Sequence, residues 1–181
     1  SAEKISILIV GKNPGHPLEI EKKKYQSTCN DNLVETMEKV FEHIWLSSPT
    51  IFHKRLLKYL AYFLDITDFT FYEDFIVTKE IFHKIFTKVV KTELVKCSTK
   101  NEQEPLRNFK EDADTCYENY LKKEFMLYNP KNILCLGGEV YDYLNKLNLQ
   151  FNLLKVKHPS YPYARDKEKI ELDHIKNRFN W

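Results

Sequence analysis

Two short polar loops hold the residues whose types and spacing could do chemistry. GKNPG, Gly11–Gly15, follows the apolar run ILIV, and HPSYP, His158–Pro162, follows the apolar segment FNLLKV. The side chain amide of Asn13 can hold and orient a water molecule, although it cannot take a proton from that water as a carboxylate can. A neutral imidazole at His158 can donate from one nitrogen to an oxygen that gathers negative charge. Pro14 and Pro159 stiffen the backbone beside these two side chains, and glycine lets a chain approach closely. Either loop alone is an ordinary strand-ending turn, since Gly, Pro and Asn are turn formers. The two together, in this order, suggest one site.

Around these loops the chain alternates β and α signals, with no repeat and no low-complexity tract. Ile5–Val10 reads as a buried first strand. Leu33–Ile44 has helical apolar spacing, and Phe52–Phe63 suggests a second helix. The aromatic-rich Phe71–Phe86 holds a short helix, followed by a strand within Phe86–Val95. A long helix is expected over Asn108–Tyr128, bounded by Pro105 and the Asn129-Pro130 turn, with Cys116, Tyr120 and Phe125 near one face. NILCLGGEVYDYLNKL then gives strand, glycine turn and helix, and FNLLKV gives the last strand. This alternation predicts a three-layer α/β/α architecture with a short parallel sheet of about four strands. In such sheets ligands bind beyond the carboxyl ends of the strands, where both polar loops fall.

With 181 residues, one domain over residues 1–181 is expected. The formal charge of +2 neither supports nor excludes a nucleic-acid partner. No apolar run has transmembrane length and the opening residues lack a signal-peptide pattern, so an intracellular protein with no membrane partner is expected, as a monomer. Cys29, Cys97, Cys116 and Cys135 contain no Cys-x-x-Cys pair, and reduced thiols are expected.

Taken with their spacing, these motifs resemble the uracil-DNA glycosylase superfamily. VGKNPG is similar to the first motif of its mismatch-specific and single-strand-selective branches, and HPSYPYAR resembles the second motif of its iron–sulfur branch. TELVKC, the helix bearing Cys116 and YNPKNILCLGGEVYDYL are similar to that same iron–sulfur branch. The resemblance spans roughly Ile7–Arg165 and implies a hydrolase that cuts the N-glycosidic bond of uracil or another damaged base in DNA. Asn13 would orient the water and His158 would stabilise the departing base. Gly11, Lys12, Pro14, Gly15 and Ser160 would complete the substrate site, and Tyr25 would stack on the flipped base. Tyr161, Tyr163 and Arg165 would wedge into the duplex or reach its phosphates. Lys22, Lys23 and Lys24 could also meet phosphate, though such a run is more often a solvated helix face.

Two departures qualify the resemblance. The base-reading Asn of the iron–sulfur branch aligns with Glu93, and an ionised carboxylate only accepts hydrogen bonds. It would repel the uracil O4 unless burial keeps it protonated, so Glu93 puts uracil specificity in question. A shifted strand register would instead bring Lys88 to that position. The second departure concerns the cluster: only Cys97 and Cys116 match the four expected ligands, and Cys135 reads as a core residue. No cofactor and no metal is therefore expected. Two other readings stay open: a catalytically silent relative that binds DNA or single strands, and a nucleotide- or phosphate-binding protein using GKNPG and LGGE at helix starts.

Overall fold

The computed structural model describes residues 5–12, 41–47, 49–66, 77–96, 108–161 and 165–178. Four strands, β1 (Ile7–Gly11), β2 (Val89–Glu93), β3 (Asn132–Leu136) and β4 (Asn152–Val156), form one parallel sheet in the order β2-β1-β3-β4. Six α-helices are described: α1 (Ile51–Phe63), α2 (Lys79–Phe86), α3 (Phe109–Cys116), α4 (Lys122–Tyr128), α5 (Gly138–Asn145) and α6 (Arg165–Arg178).

The central strands β1 and β3 are buried on both faces and read as continuous apolar runs, as strands covered on two sides must. Side chains alternate between the two faces. Ile7 and Ile9 point to a core built with α1, α2 and α6, while Leu8 and Val10 point to a second core built with α3, α4 and α5. The result is the three-layer α/β/α arrangement expected from the sequence. The crossover from β1 to β2 contains α1 and α2, on one face, and that from β2 to β3 contains α3 and α4, on the other.

The expected long helix over 108–128 is present with an interruption. A π-helical turn, Tyr117–Leu121, joins α3 to α4 and adds one residue to the helical repeat. That extra residue changes which side chain is buried. Leu121 is fully buried, whereas Tyr120, expected near one face with Cys116 and Phe125, is 54% exposed while those two are buried. The helix ends at Asn129, which takes the left-handed conformation (φ 41°) just before Pro130.

Two further differences separate the expectation from the structure. Helix α6 was not anticipated, because only Leu172 and Ile175 of its apolar residues are buried, while Ile170 is 69% exposed. Arg165, expected in the loop after His158, is the first residue of that helix. Of the expected helix over Leu33–Ile44, residues 33–40 lie outside the described part, 41–42 are helical as expected, and 43–47 form a second π-helical turn that carries the buried Trp45.

Candidate active site

The register of β1 with β2 pairs Gly11 with Glu93 and Ile7 with Val89. Lys88 precedes β2, and its carbonyl accepts from Ser6 at the opposite end of the sheet. The alternative register that would bring Lys88 to the carboxyl end is thereby excluded. Beyond Gly11 the ladder continues, with Leu94 N–H donating to the Gly11 carbonyl (2.8 Å) and Val95 N–H to that of Lys12 (2.9 Å). The backbone is thus held up to the residue before Asn13. Asn13, Pro14, Gly15, Tyr25 and Tyr163 lie outside the described residues.

Strand periodicity puts Lys91 and Glu93 on one face of β2, the face shared with α1. Their side chains form an ion pair, Lys91 Nζ to Glu93 Oε1. The second carboxylate oxygen lies against Gly11, where an added Cβ would stand 1.9 Å from Oε2. The carboxylate occupies the space that a side chain at Gly11 would take. Glu93 Oε2 is buried and has no hydrogen-bond partner among the described residues.

His158 lies two residues past β4, in a turn closed by Tyr161 N–H donating to the His158 carbonyl (2.9 Å). The backbone N–H of Ser160 donates to His158 Nδ1 at 3.3 Å. That nitrogen must therefore carry a lone pair, which leaves Nε2–H as the donor of the neutral ring. Burial, helped by the positive charge of Lys91, holds the His158 pKa below the usual histidine value. The imidazole stacks on Phe52, with centroids 5.2 Å apart and planes 30° apart.

Phe52 belongs to the first turn of α1, which also brings His53 and Arg55 to this end of the sheet. Thr50 caps the helix and forms a capping box with His53, whose Nδ1 accepts from the Thr50 N–H (3.3 Å). Burial and the Lys91 charge push the His53 pKa down to about 4. Arg55 reaches the His158 turn itself, donating to the carbonyls of Pro159 (3.1 Å) and Tyr161. Behind it, Glu168 of α6 is buried, 4.0 Å from the Arg55 guanidinium and bonded by the Tyr59 hydroxyl. Helices α1 and α6 thus clamp the turn that presents His158.

The remaining expected residues are placed as follows. Lys12 pairs with Glu139 of α5 at 2.7 Å and lies over the Phe109 ring, on the face away from Lys91. Ser160 and Tyr161 are exposed, Tyr161 to 63%. Sequence reasoning missed Lys91, His53, Phe52, Arg55 and Glu168. The spacing of Lys91 and Glu93, two apart in a strand, was the signal available for the first; Arg55 and Glu168 had none, since only the tertiary fold brings them to the loop.

An iron–sulfur cluster would require four converging thiolates. Cys116, at the end of α3, is buried and its sulfur accepts from the Lys96 N–H at 3.4 Å. Cys135 sits inside β3 and burial pushes its thiol up to about 12, so it is a core residue and not a thiolate ligand. Cys29 and Cys97 lie outside the described residues. Among the described residues no group of three or more His, Cys, Asp or Glu side chains could hold a metal ion.

The sequence matches the family model described as Uracil DNA glycosylase superfamily over residues 1–181. No curated protein matches it significantly.

Proposed function

The chain belongs to the Uracil DNA glycosylase superfamily, and from that premise we propose that it is an intracellular base-excision repair enzyme, monomeric and cofactor-free, that hydrolyses the N-glycosidic bond of uracil or another damaged base flipped out of DNA. Membership supports a DNA glycosylase-type role; the base and the residues are this proposal's own. The observation that carries it is the state of His158: neutral, fixed with Nε2–H as its donor, and clamped at the carboxyl end of the sheet.

In this mechanism the glycosidic bond breaks with its electron pair going to the base. The His158 Nε2–H bonds the base oxygen that gathers the charge and stabilises the anion without first protonating it. Asn13 orients a water whose oxygen adds to the cationic sugar carbon, and the proton that water loses neutralises the departed base. An amide cannot take that proton, so the chemistry leans on leaving-group stabilisation. The first turn of α1 adds the positive end of its dipole at the same end of the sheet. Tyr161, Tyr163 and Arg165 meet the DNA strand beyond the turn, and Tyr25 stacks on the base.

The test is purified protein against oligonucleotides each carrying one modified base, scored for abasic sites. His158→Ala is expected to slow base release roughly a hundredfold to a thousandfold, the usual cost of losing a donor to a developing anion. DNA binding with no abasic product from any base would replace this reading with that of a silent DNA-binding relative.

A further inference from the structure

The Lys91–Glu93 pair is half used by the fold. Lys91 Nζ bonds Glu93 Oε1, and Oε2 is buried with no donor among the described residues. A buried carboxylate oxygen in that state is unfavourable until a donor reaches it. An ammonium carries three N–H donors, of which Glu93 takes one. Side by side, the two residues therefore offer one free acceptor and spare donors, the same pattern that a single amide side chain presents. Gly11 makes the arrangement possible by leaving the volume of its missing side chain to Oε2.

We propose that Lys91 and Glu93 act together as a base-reading pair, Oε2 accepting from a ring N–H and Lys91 donating to the carbonyl oxygen beside it. The inference rests on the glycosylase reading and specifies how its site selects a base. The pair stands on the face of β2 shared with α1, beside the end of β1 that leads into Asn13. The Lys91 charge helps lower the pKa of both His158 and His53, in keeping with the pair standing at the same end of the sheet as these two rings. An imide edge suits the pair best. An N–H flanked by two carbonyls is a stronger donor to a carboxylate than an aromatic amine is, and a carbonyl oxygen that gains charge as the base leaves is the better target for an ammonium. Being neutral overall, the ion pair would not repel the uracil O4 as a lone carboxylate would, so under this proposal Glu93 accepts uracil.

Binding of cleavage-resistant, sugar-fluorinated oligonucleotides carrying uracil or cytosine at one position tests the pair. Wild type is expected to prefer uracil by roughly tenfold or more. Lys91→Met should abolish that preference, and Lys91→Met with Glu93→Asn should restore it, because one amide then supplies both donor and acceptor. If Lys91→Met alone does not fold, Lys91→Met with Glu93→Leu, which leaves no buried carboxylate unpaired and supplies no amide, carries the test: loss of the uracil preference supports the pair, and its retention overturns it. Preference for cytosine in wild type, or a folded Lys91→Met that still prefers uracil, overturns the proposal. Base release is scored separately on ordinary uracil oligonucleotides. No abasic product with the binding preference intact removes the glycosylase reading and keeps the pair. Abasic product with a preference indifferent to every variant removes the pair and keeps that reading.

Discussion

Two glutamates hidden on the same side of the sheet are treated in opposite ways. Glu168 is 6% exposed, takes a hydrogen bond from Tyr59 and faces the Arg55 guanidinium. Glu93 has one oxygen on Lys91 and one without a donor among the described residues. A buried charge is tolerated when its partners repay its lost hydration, and is costly when they do not. Glu168 therefore reads as scaffold, holding the helix and the turn in place, while Glu93 reads as a group held ready for a partner from outside.

The comparison breaks most visibly through Arg55, which connects the scaffold to His158. Arg55→Ala withdraws the donors from Pro159 and Tyr161 and frees the turn. A displacement of about 1 Å at a reacting group costs on the order of a hundredfold, so base release should fall by about that factor while substrate affinity changes less. Steady-state kinetics with kcat and KM resolved separately check this, and an unchanged kcat would show that the turn holds itself.

Stability should then separate the two carboxylates. Glu168→Ala removes the acceptor of Tyr59 and the counter-charge of Arg55 and is expected to cost about 1–3 kcal/mol. Lys91→Met with Glu93→Gln, which removes the half-satisfied pair together, should leave stability at or above that of wild type, by as much as ~1–4 kcal/mol for pairs of this kind. Urea melts of both variants decide between them. Equal losses would mean that Glu93 is scaffold too.

The smallest effect is in acid. His53 has its pKa lowered to about 4 from the unfolded value of 6.5, so the unfolded chain binds more protons between these values. Its contribution to stability is fully present above pH 6.5 and is lost as the pH falls toward 4. His158, lowered by the same causes, acts in the same direction. His53→Gln keeps a residue that can complete the capping box and removes the titration. Urea melts across this range should show a shallower pH slope in the variant, with stability near pH 7.5 changed by less than about 0.5 kcal/mol. An identical slope would mean that His53 is not buried as a neutral ring.

Most of the layer architecture was legible because it rests on local patterns. Continuous apolar runs marked β1 and β3, and the left-handed Asn129 before Pro130 marked the end of a helix. Helix α6 escaped because a helix that buries only Leu172 and Ile175, alongside Glu168, has too narrow an apolar stripe to show through its charges. Tyr120 was placed on the wrong face because an inserted π turn leaves no mark in a periodicity count. At the site, the ion pair of Glu93 with Lys91 was not read, for a simpler reason. A strand sets residues two apart side by side, and Lys91 had to be read with it.

The Arg55 clamp also orders events in time. It joins a guanidinium to a carbonyl 104 residues later, and its buried counter-charge comes from α6, later still. Contacts so distant in sequence close last, after the chain between them has paid its loop entropy. On a ribosome, β1 to β3 and their helices can pack while the His158 turn is still being made. That turn acquires its fixed donor only when α6 has emerged and docked. An incompletely synthesised chain would already have its central strands and still lack the clamp that presents His158.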